Sequence, residues 1–146
     1  TKIRNALLEG NIKLANQYLG YTYTISGIVI KGNQLGRTIG FPTANIEINE
    51  GYKLIPSNGV YIVKTLVEKQ IVFGMMNIGT KPTKKETSQS IEVYLFDFNY
   101  DIYSKIIEVS FLEKIRDEQK FESIELLKKQ LSEDKLKSLK FISENF

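Results

Sequence analysis

The sequence predicts a mainly β domain: a six-stranded antiparallel β-barrel with short helices before it and helices after it. Three observations predict this. Six runs rich in β-branched and aromatic residues fall at Thr22–Lys31, Ala44–Ile48, Gly59–Val67, Gln70–Ile78, Ser90–Phe98 and Ile106–Lys114, the composition of half-buried strands. Turn chemistry separates them: Glu68-Lys69 is a short hairpin connection and Asn99-Tyr100-Asp101 a second tight reversal, so neighbouring strands run antiparallel. Six strands suit a sandwich or a barrel, and Gly27 inside the first run and Gly74 inside the fourth favour the barrel, because closure requires bulges or sharp bends.

Ahead of the strands, Ile3, Ala6 and Leu7 keep helical spacing up to a stop at Gly10. Asn11 then caps a second short helix carrying Ile12, Ala15 and Leu19 before Gly20. Behind the strands, Phe121, Ile124, Leu127 and Leu131 form an apolar stripe, continued by Leu136, Leu139 and Ile142 after a recapping at Ser132. The C-terminal helices are therefore expected to pack on the outside of the barrel. Thr80–Ser90, rich in Lys, Thr and Ser, is expected to be a mobile loop. The first residue is Thr, read as the start of a fragment of something longer, with N-terminal processing of a natural chain as the alternative.

Composition narrows the chemistry. A chain of 146 residues with 42% hydrophobic content makes one domain with a real core. No run reaches eighteen apolar residues and no signal-peptide pattern opens the chain, so a soluble, cytoplasmic protein without a membrane partner is expected. There is no cysteine and no histidine, which removes disulfides, zinc-thiolate sites and Cys-His or Ser-His nucleophiles. Acid–base work falls to carboxylates, Lys or Tyr. The net charge is +3, yet Tyr21 to Leu112 holds nine basic against eight acidic residues. That near-neutral stretch argues against the main rival, an OB-type nucleic-acid-binding barrel, which eight Tyr and eight Phe would otherwise suit.

The densest local signal is Gly32 to Asn45, with Gly32, Gly36, Gly40 and Pro42 in close succession. Glycines let backbone N–H groups turn inward around an anion, and Arg37 and Thr38 add a cation and a hydroxyl. Taken alone this is also what an ordinary turn looks like. It is not a Walker loop: Gly32 to Gly36 is one residue short, Arg37 stands where lysine is needed, and a strand follows instead of a helix. Pro42 forces Phe41 into an extended conformation and starts a strand. Alternation then puts Thr43 and Asn45 on one face, either as neutral oxygen ligands acceptable to Mg²⁺ or as partners of nearby backbone groups. Glu92, inside the apolar run Ile91 to Phe96, is either a functional carboxylate or a residue of a solvated outer face paired with a lysine.

These residues carry a resemblance. Gly36-Arg37-Thr38-Ile39-Gly40-Phe41-Pro42-Thr43-Ala44-Asn45 is similar, almost letter for letter, to the signature of the riboflavin kinases, specifically the C-terminal module of bacterial bifunctional riboflavin kinase/FAD synthetases. Asn58 to Tyr61, Asn77 to Thr83, Ile91 to Tyr94 with Asp97-Phe98, and Phe111-Leu112 through Arg116, Glu118 and Phe121 fit the same family in the same order. The resemblance covers about Gly20 to the C-terminus and implies a Greek-key-type barrel that phosphorylates the 5′-hydroxyl of riboflavin with ATP, giving FMN and ADP. It implies Glu92 as the catalytic base. Gly36, Arg37, Thr38 and Gly40 are expected at the ATP phosphates, Thr43 and Asn45 at the nucleotide and Mg²⁺, and Asn77 and Arg116 at the flavin. Asn77 to Thr83 is expected to form a substrate-side flap and Arg116 to begin another. Thr1-Lys2-Ile3-Arg4 resembles the end of a motif closing the family's FMN adenylyltransferase module, so residues 1–19 are expected to be a helical linker from that absent module and 20–146 the kinase domain. Two places depart from the pattern: Asp101-Ile102-Tyr103-Ser104 stands where Asp-x-Tyr-Gly is common, and Lys84 where an aromatic is common.

Overall fold

A computed structural model of the chain describes residues 1–30, 40–48, 51, 53–82, 87–98 and 101–146. Two short helices come first, α1 (Lys2–Glu9) and α2 (Ile12–Leu19). Gly10 and Gly20 end them in left-handed conformations at φ 77° and 79°, and the Asn11 side chain accepts from the Leu14 N–H at 3.2 Å. These are the stops and cap read from the sequence.

Six strands follow: β1 (Thr24–Ile30), β2 (Ala44–Ile48), β3 (Gly59–Val67), β4 (Gln70–Pro82), β5 (Thr87–Leu95) and β6 (Ile106–Arg116). Every pairing is antiparallel, and the order β1-β2-β5-β4-β3-β6 closes into a barrel. Consecutive strands β3, β4 and β5 form a meander, while β2 reaches across to β5, the Greek-key crossover. The β3–β4 hairpin turns at Glu68 and Lys69 with φ 46° and 72°, both positive, as the twist of a two-residue hairpin requires. β4 and β5 run further than the sequence suggested. They stay paired to Pro82↔Thr87, so Thr80 to Pro82 and Thr87 to Ser90 are strand, not mobile loop. Partner pairing overrides the loop-like composition here. β5 stops at Leu95, where Asp97 turns left-handed at φ 53°. Of the reversal read at Asn99 to Asp101, Asn99 and Tyr100 lie outside the described residues.

The strand glycines mark close approach instead of bulges. A Cβ on Gly27 would meet the Ile46 side chain and the Glu47 carbonyl, and one on Gly74 would meet the Tyr94 carbonyl oxygen, while register runs evenly through both. The register shifts lie between β3 and β6, at Val60/Tyr61 and Ile62/Val63. At each, β6 carries one extra residue, which bends its C-terminal end.

Inside the barrel, alternate residues such as Ile25, Tyr61, Met76, Val93 and Phe111 form one buried cluster. Ala6, Leu7, Ile12 and Ala15 of α1 and α2 belong to it. The Asn16 side chain ties α2 to the barrel, donating to the Phe111 carbonyl at 3.0 Å and accepting from the Tyr23 N–H at 2.8 Å. A second cluster, of Phe41, Val60, Met75 and Phe96, sits on the barrel's outer face beneath Leu127, Leu131 and Ile142. These last three belong to α3 (Ile124–Asn145), one continuous helix capped by Ser123. No recapping occurs at Ser132, whose hydroxyl donates to the Lys128 carbonyl one turn back, leaving the helical ladder to run through. Among the described residues no helix is long and apolar enough to cross a membrane.

The departure at Ser104 is absorbed by the backbone, which places Ser104 at φ 68°, a conformation glycine adopts without a Cβ penalty. Ser104→Gly is expected to raise stability by about 0.5–1 kcal/mol, seen as a higher midpoint in urea melts. Gly74→Ala is expected to lower it by about 1–3 kcal/mol, since its methyl group has a carbonyl oxygen in its place; an unchanged midpoint would contradict the packing described here.

Candidate active site

Closure of the barrel creates the site. The β2–β5 seam has two residue pairs, Ala44↔Val93 and Asn45↔Glu92. Ile91, Val93 and Leu95 fill the interior, so strand alternation sends Glu92 and Tyr94 outward. Glu92 is therefore on the outer face, half-buried. The Thr43 hydroxyl lies 3.5 Å from Glu92 Oε1, the outer limit of a hydrogen bond.

The same row continues around the barrel. Glu92 stands opposite Asn77 of β4, Asn77 opposite Val60 of β3, and Val60 opposite Arg116 of β6. Directly paired residues share a face, so Asn45, Glu92, Asn77 and Arg116 form one outward-facing band with Val60 between them. Asn77 and the residues to Pro82 lie in strand β4 and not in a loop. Gly40 turns at φ 86° just ahead of Phe41, and none of the described residues comes within 4 Å of where its Cβ would stand. Gly36, Arg37, Thr38, Thr83 and Lys84 lie outside the described residues.

α3 crosses this band and leaves a cavity of about 170 Å³ between its Leu127 and Leu131 and the strand residues Asn77, Glu92, Tyr94 and Arg116. Phe41 and Thr43 line it as well. Phe41 meets Tyr94 edge-on at 5.3 Å between ring centroids, and Tyr94 meets Phe96 at 5.5 Å. The cavity thus offers aromatic and aliphatic walls with a few polar groups spaced along the strand band, the usual make-up of a small-molecule site. Its volume is below the roughly 300–1,000 Å³ of pockets that enclose a drug-sized ligand, so a larger ligand must extend beyond its mouth or displace the adjoining strap 117–123.

That strap is tied down at two points. Arg116 makes a bidentate pair with Asp134 of α3, through Nε at 3.0 Å to both carboxylate oxygens and Nη2 at 2.8 Å to Oδ2, and Nη1 donates to the Asp117 carbonyl at 3.1 Å. Asp134 is fully buried, accepts a further bond from Gln130 at 3.0 Å, and the guanidinium lies 5.7 Å from the centre of the Phe121 ring. At the second point Glu118 packs over Gly79, where any Cβ would collide with it, and accepts from the Asn58 amide at 3.3 Å. Between them Lys114 lies 2.6 Å from Asp117 and by that contact lowers the carboxyl pKa of Asp117. Sequence reasoning found Arg116 and missed Asp134. The missing signal was spacing: Leu127, Leu131, Asp134 and Ser138 fall on one helical stripe, and an acid on a buried stripe needs a partner.

A family model described as flavokinase, riboflavin kinase, matches residues 19–142. The chain belongs to the riboflavin kinase family. It is 46% identical over 144 residues to a bifunctional riboflavin kinase/FMN adenylyltransferase of Bacillus subtilis (strain 168), covering 97% of this chain and 45% of that relative. A protein of the same description from Escherichia coli (strain K12) is 42% identical over 142 residues, again covering 97% and 45%. The chain thus spans less than half the length of these relatives. A solved structure described as a macrolide-efflux protein from Streptococcus pneumoniae superposes with a TM-score of 0.88 at 38% identity, over 99% of this chain and 45% of that one. The riboflavin kinase from Trypanosoma brucei shares the fold, with a TM-score of 0.56 at 22% identity, over 84% and 80%. In this riboflavin kinase family member the described end of the run, Phe41 to Asn45, leads into β2 and its seam with β5, and Asn77, Glu92, Arg116 and Glu118 lie on the band and strap around the cavity.

Gly79 has no left-handed φ, so Gly79→Ala changes only the seat of Glu118. Faster amide hydrogen exchange across residues 117–123 is expected in this variant, with global stability changed by less than about 1 kcal/mol; unchanged exchange there would mean that Glu118 does not hold the strap.

Proposed function

We propose that this chain transfers the terminal phosphate of ATP to the 5′-hydroxyl of riboflavin, giving FMN and ADP. The observation that carries the reading is the half-buried Glu92 carboxylate beside Thr43 and Asn45 at the edge of an aromatic-walled cavity, in a chain that matches the riboflavin kinase family over residues 19–142. Phosphoryl transfer asks the protein for alignment and charge neutralisation more than for covalent chemistry. The flat flavin ring suits the walls formed by Phe41, Tyr94, Leu127 and Leu131, with Asn77 and Arg116 supplying polar contacts. The ribityl chain then runs toward Glu92, which accepts the hydroxyl proton as general base.

The ATP phosphates are assigned to the backbone of Gly36 to Gly40 with Arg37 and Thr38, the glycine-containing run that precedes β2 in the sequence. The Thr43 hydroxyl and Asn45 amide are hard, neutral oxygen donors on one face, a set that fits Mg²⁺, which keeps its remaining positions for waters and phosphates. Bound there, Mg²⁺ supplies neutralisation of the phosphate charge. We place the reaction in the cytoplasm, where ATP is supplied, and the near-neutral charge of residues 21–112 argues against a nucleic-acid partner. We further propose that residues 1–19 connect the kinase domain, 20–146, to a covalently linked FMN adenylyltransferase module, as the bifunctional description of the relatives suggests.

Incubating the chain with riboflavin, ATP and Mg²⁺ is expected to give FMN, resolved by chromatography; riboflavin bound without consumption of ATP would make this a flavin-binding module instead. Glu92→Gln is expected to cut kcat by about 10²–10⁴ with the fold intact by circular dichroism, and Thr43→Ala or Asn45→Ala to act in the same direction. Near-normal turnover by folded Glu92→Gln would remove Glu92 from the role of base.

A further inference from the structure

The Arg116–Asp134 pair does more than a surface ion pair. Asp134 is fully buried on the barrel-facing side of α3, while the Arg116 side chain keeps about 16% of its surface exposed and lines the cavity. Asp134 engages Nε and Nη2, and the Asp117 carbonyl takes one proton of Nη1. A guanidinium has five N–H groups in a rigid planar fork, so two of them, one on each terminal nitrogen, stay uncommitted among the described residues. The remaining constraints fix the plane of the fork. Phe121 lies against the guanidinium, and Gln130 also holds Asp134 by donating to Oδ1 at 3.0 Å.

We infer that Asp134 is a positioning residue: buried in α3, it presents the two free N–H groups of Arg116 to carbonyl oxygens of the ligand's heteroaromatic ring, and thereby sets affinity for the flavin without touching it. The inference rests on the riboflavin kinase reading above. It assigns the pair to ring recognition and not to the phosphate, because Arg116 is separated from Glu92 along the band by Asn77 and Val60 and shares the cavity wall with Phe121, Leu127 and Leu131. A carboxylate is needed at 134 because only a charged, bidentate acceptor holds the fork in one plane. An amide of the same shape offers one acceptor oxygen and turns a donor toward the cation.

A merely structural role, docking α3 on the barrel, makes a different forecast, and two variants separate them. In Asp134→Asn, steady-state kinetics with riboflavin, ATP and Mg²⁺ are expected to show KM for riboflavin raised about tenfold, with kcat and KM for ATP within about twofold of wild type. The double variant Arg116→Met/Asp134→Leu replaces the ion pair with apolar side chains, an exchange that commonly preserves or raises stability. It is expected to melt at or above the wild-type temperature yet keep the raised riboflavin KM. Recovery of the wild-type riboflavin KM in the double variant would show that the pair only docks the helix, and an unchanged riboflavin KM in Asp134→Asn would equally overturn the inference. A wild-type chain that neither binds nor phosphorylates riboflavin is a separate outcome, which sinks the kinase reading and this inference together.

Discussion

Barrel closure at the β2–β5 seam is the constraint on which the rest depends. Two residue pairs join these strands, and each has opposite demands on its two faces. Ala44 and Val93 must enter the core, and Asn45 and Glu92 must stay out of it. A slip of one residue would exchange them and put a carboxylate among Ile46, Ile91 and Val109. The hydrophobic pattern therefore fixes the position of the polar groups. Core packing brings Glu92, Thr43 and Asn45 together without any need for strong mutual attraction, which agrees with a Thr43–Glu92 contact as long as 3.5 Å.

The second requirement is a lid for the outer face. Phe41, Val60, Met75 and Phe96 would leave an apolar patch on the barrel, and α3 covers it with Leu127, Leu131 and Ile142. The cover is incomplete over the polar band, and the gap is the cavity. Its open edge is framed by the strap that follows β6, whose course is set by the two extra residues in that strand and by the bonds of Arg116 and Glu118. α1 and α2 play a different part. Their buried Ala6, Leu7, Ile12 and Ala15 join the interior cluster, so they belong to the barrel's core packing and stand apart from the α3 cavity.

Much of this was legible in the chain. Gly10, Asn11 and Gly20 marked the helix ends because stops and caps are local chemistry. The six strands were legible because their composition repeats, and the run that ends at Ala44 and Asn45 leads into the strand that closes the barrel on β5. Asp134 was hidden because its partner lies eighteen residues away in sequence and on another element. The extension of β4 to Pro82 was hidden because it depends on β5 being alongside, not on any preference of Thr80 or Lys81. Ser132 was read as a break because a serine caps or continues a helix according to which carbonyl its hydroxyl finds.

By itself, then, the sequence determined what local rules and residue types control: strand and helix identities, the turn at Glu68-Lys69, the exclusion of thiol and imidazole chemistry, and the candidates Thr43, Asn45, Asn77, Glu92 and Arg116. Only the tertiary structure decided that four of these share one outward band, that α3 is a single helix roofing it, and that Arg116 is already half-engaged by a buried carboxylate. The physical reason is that side-chain direction follows strand parity, whereas the neighbour a side chain meets depends on register and closure, which long-range pairing sets.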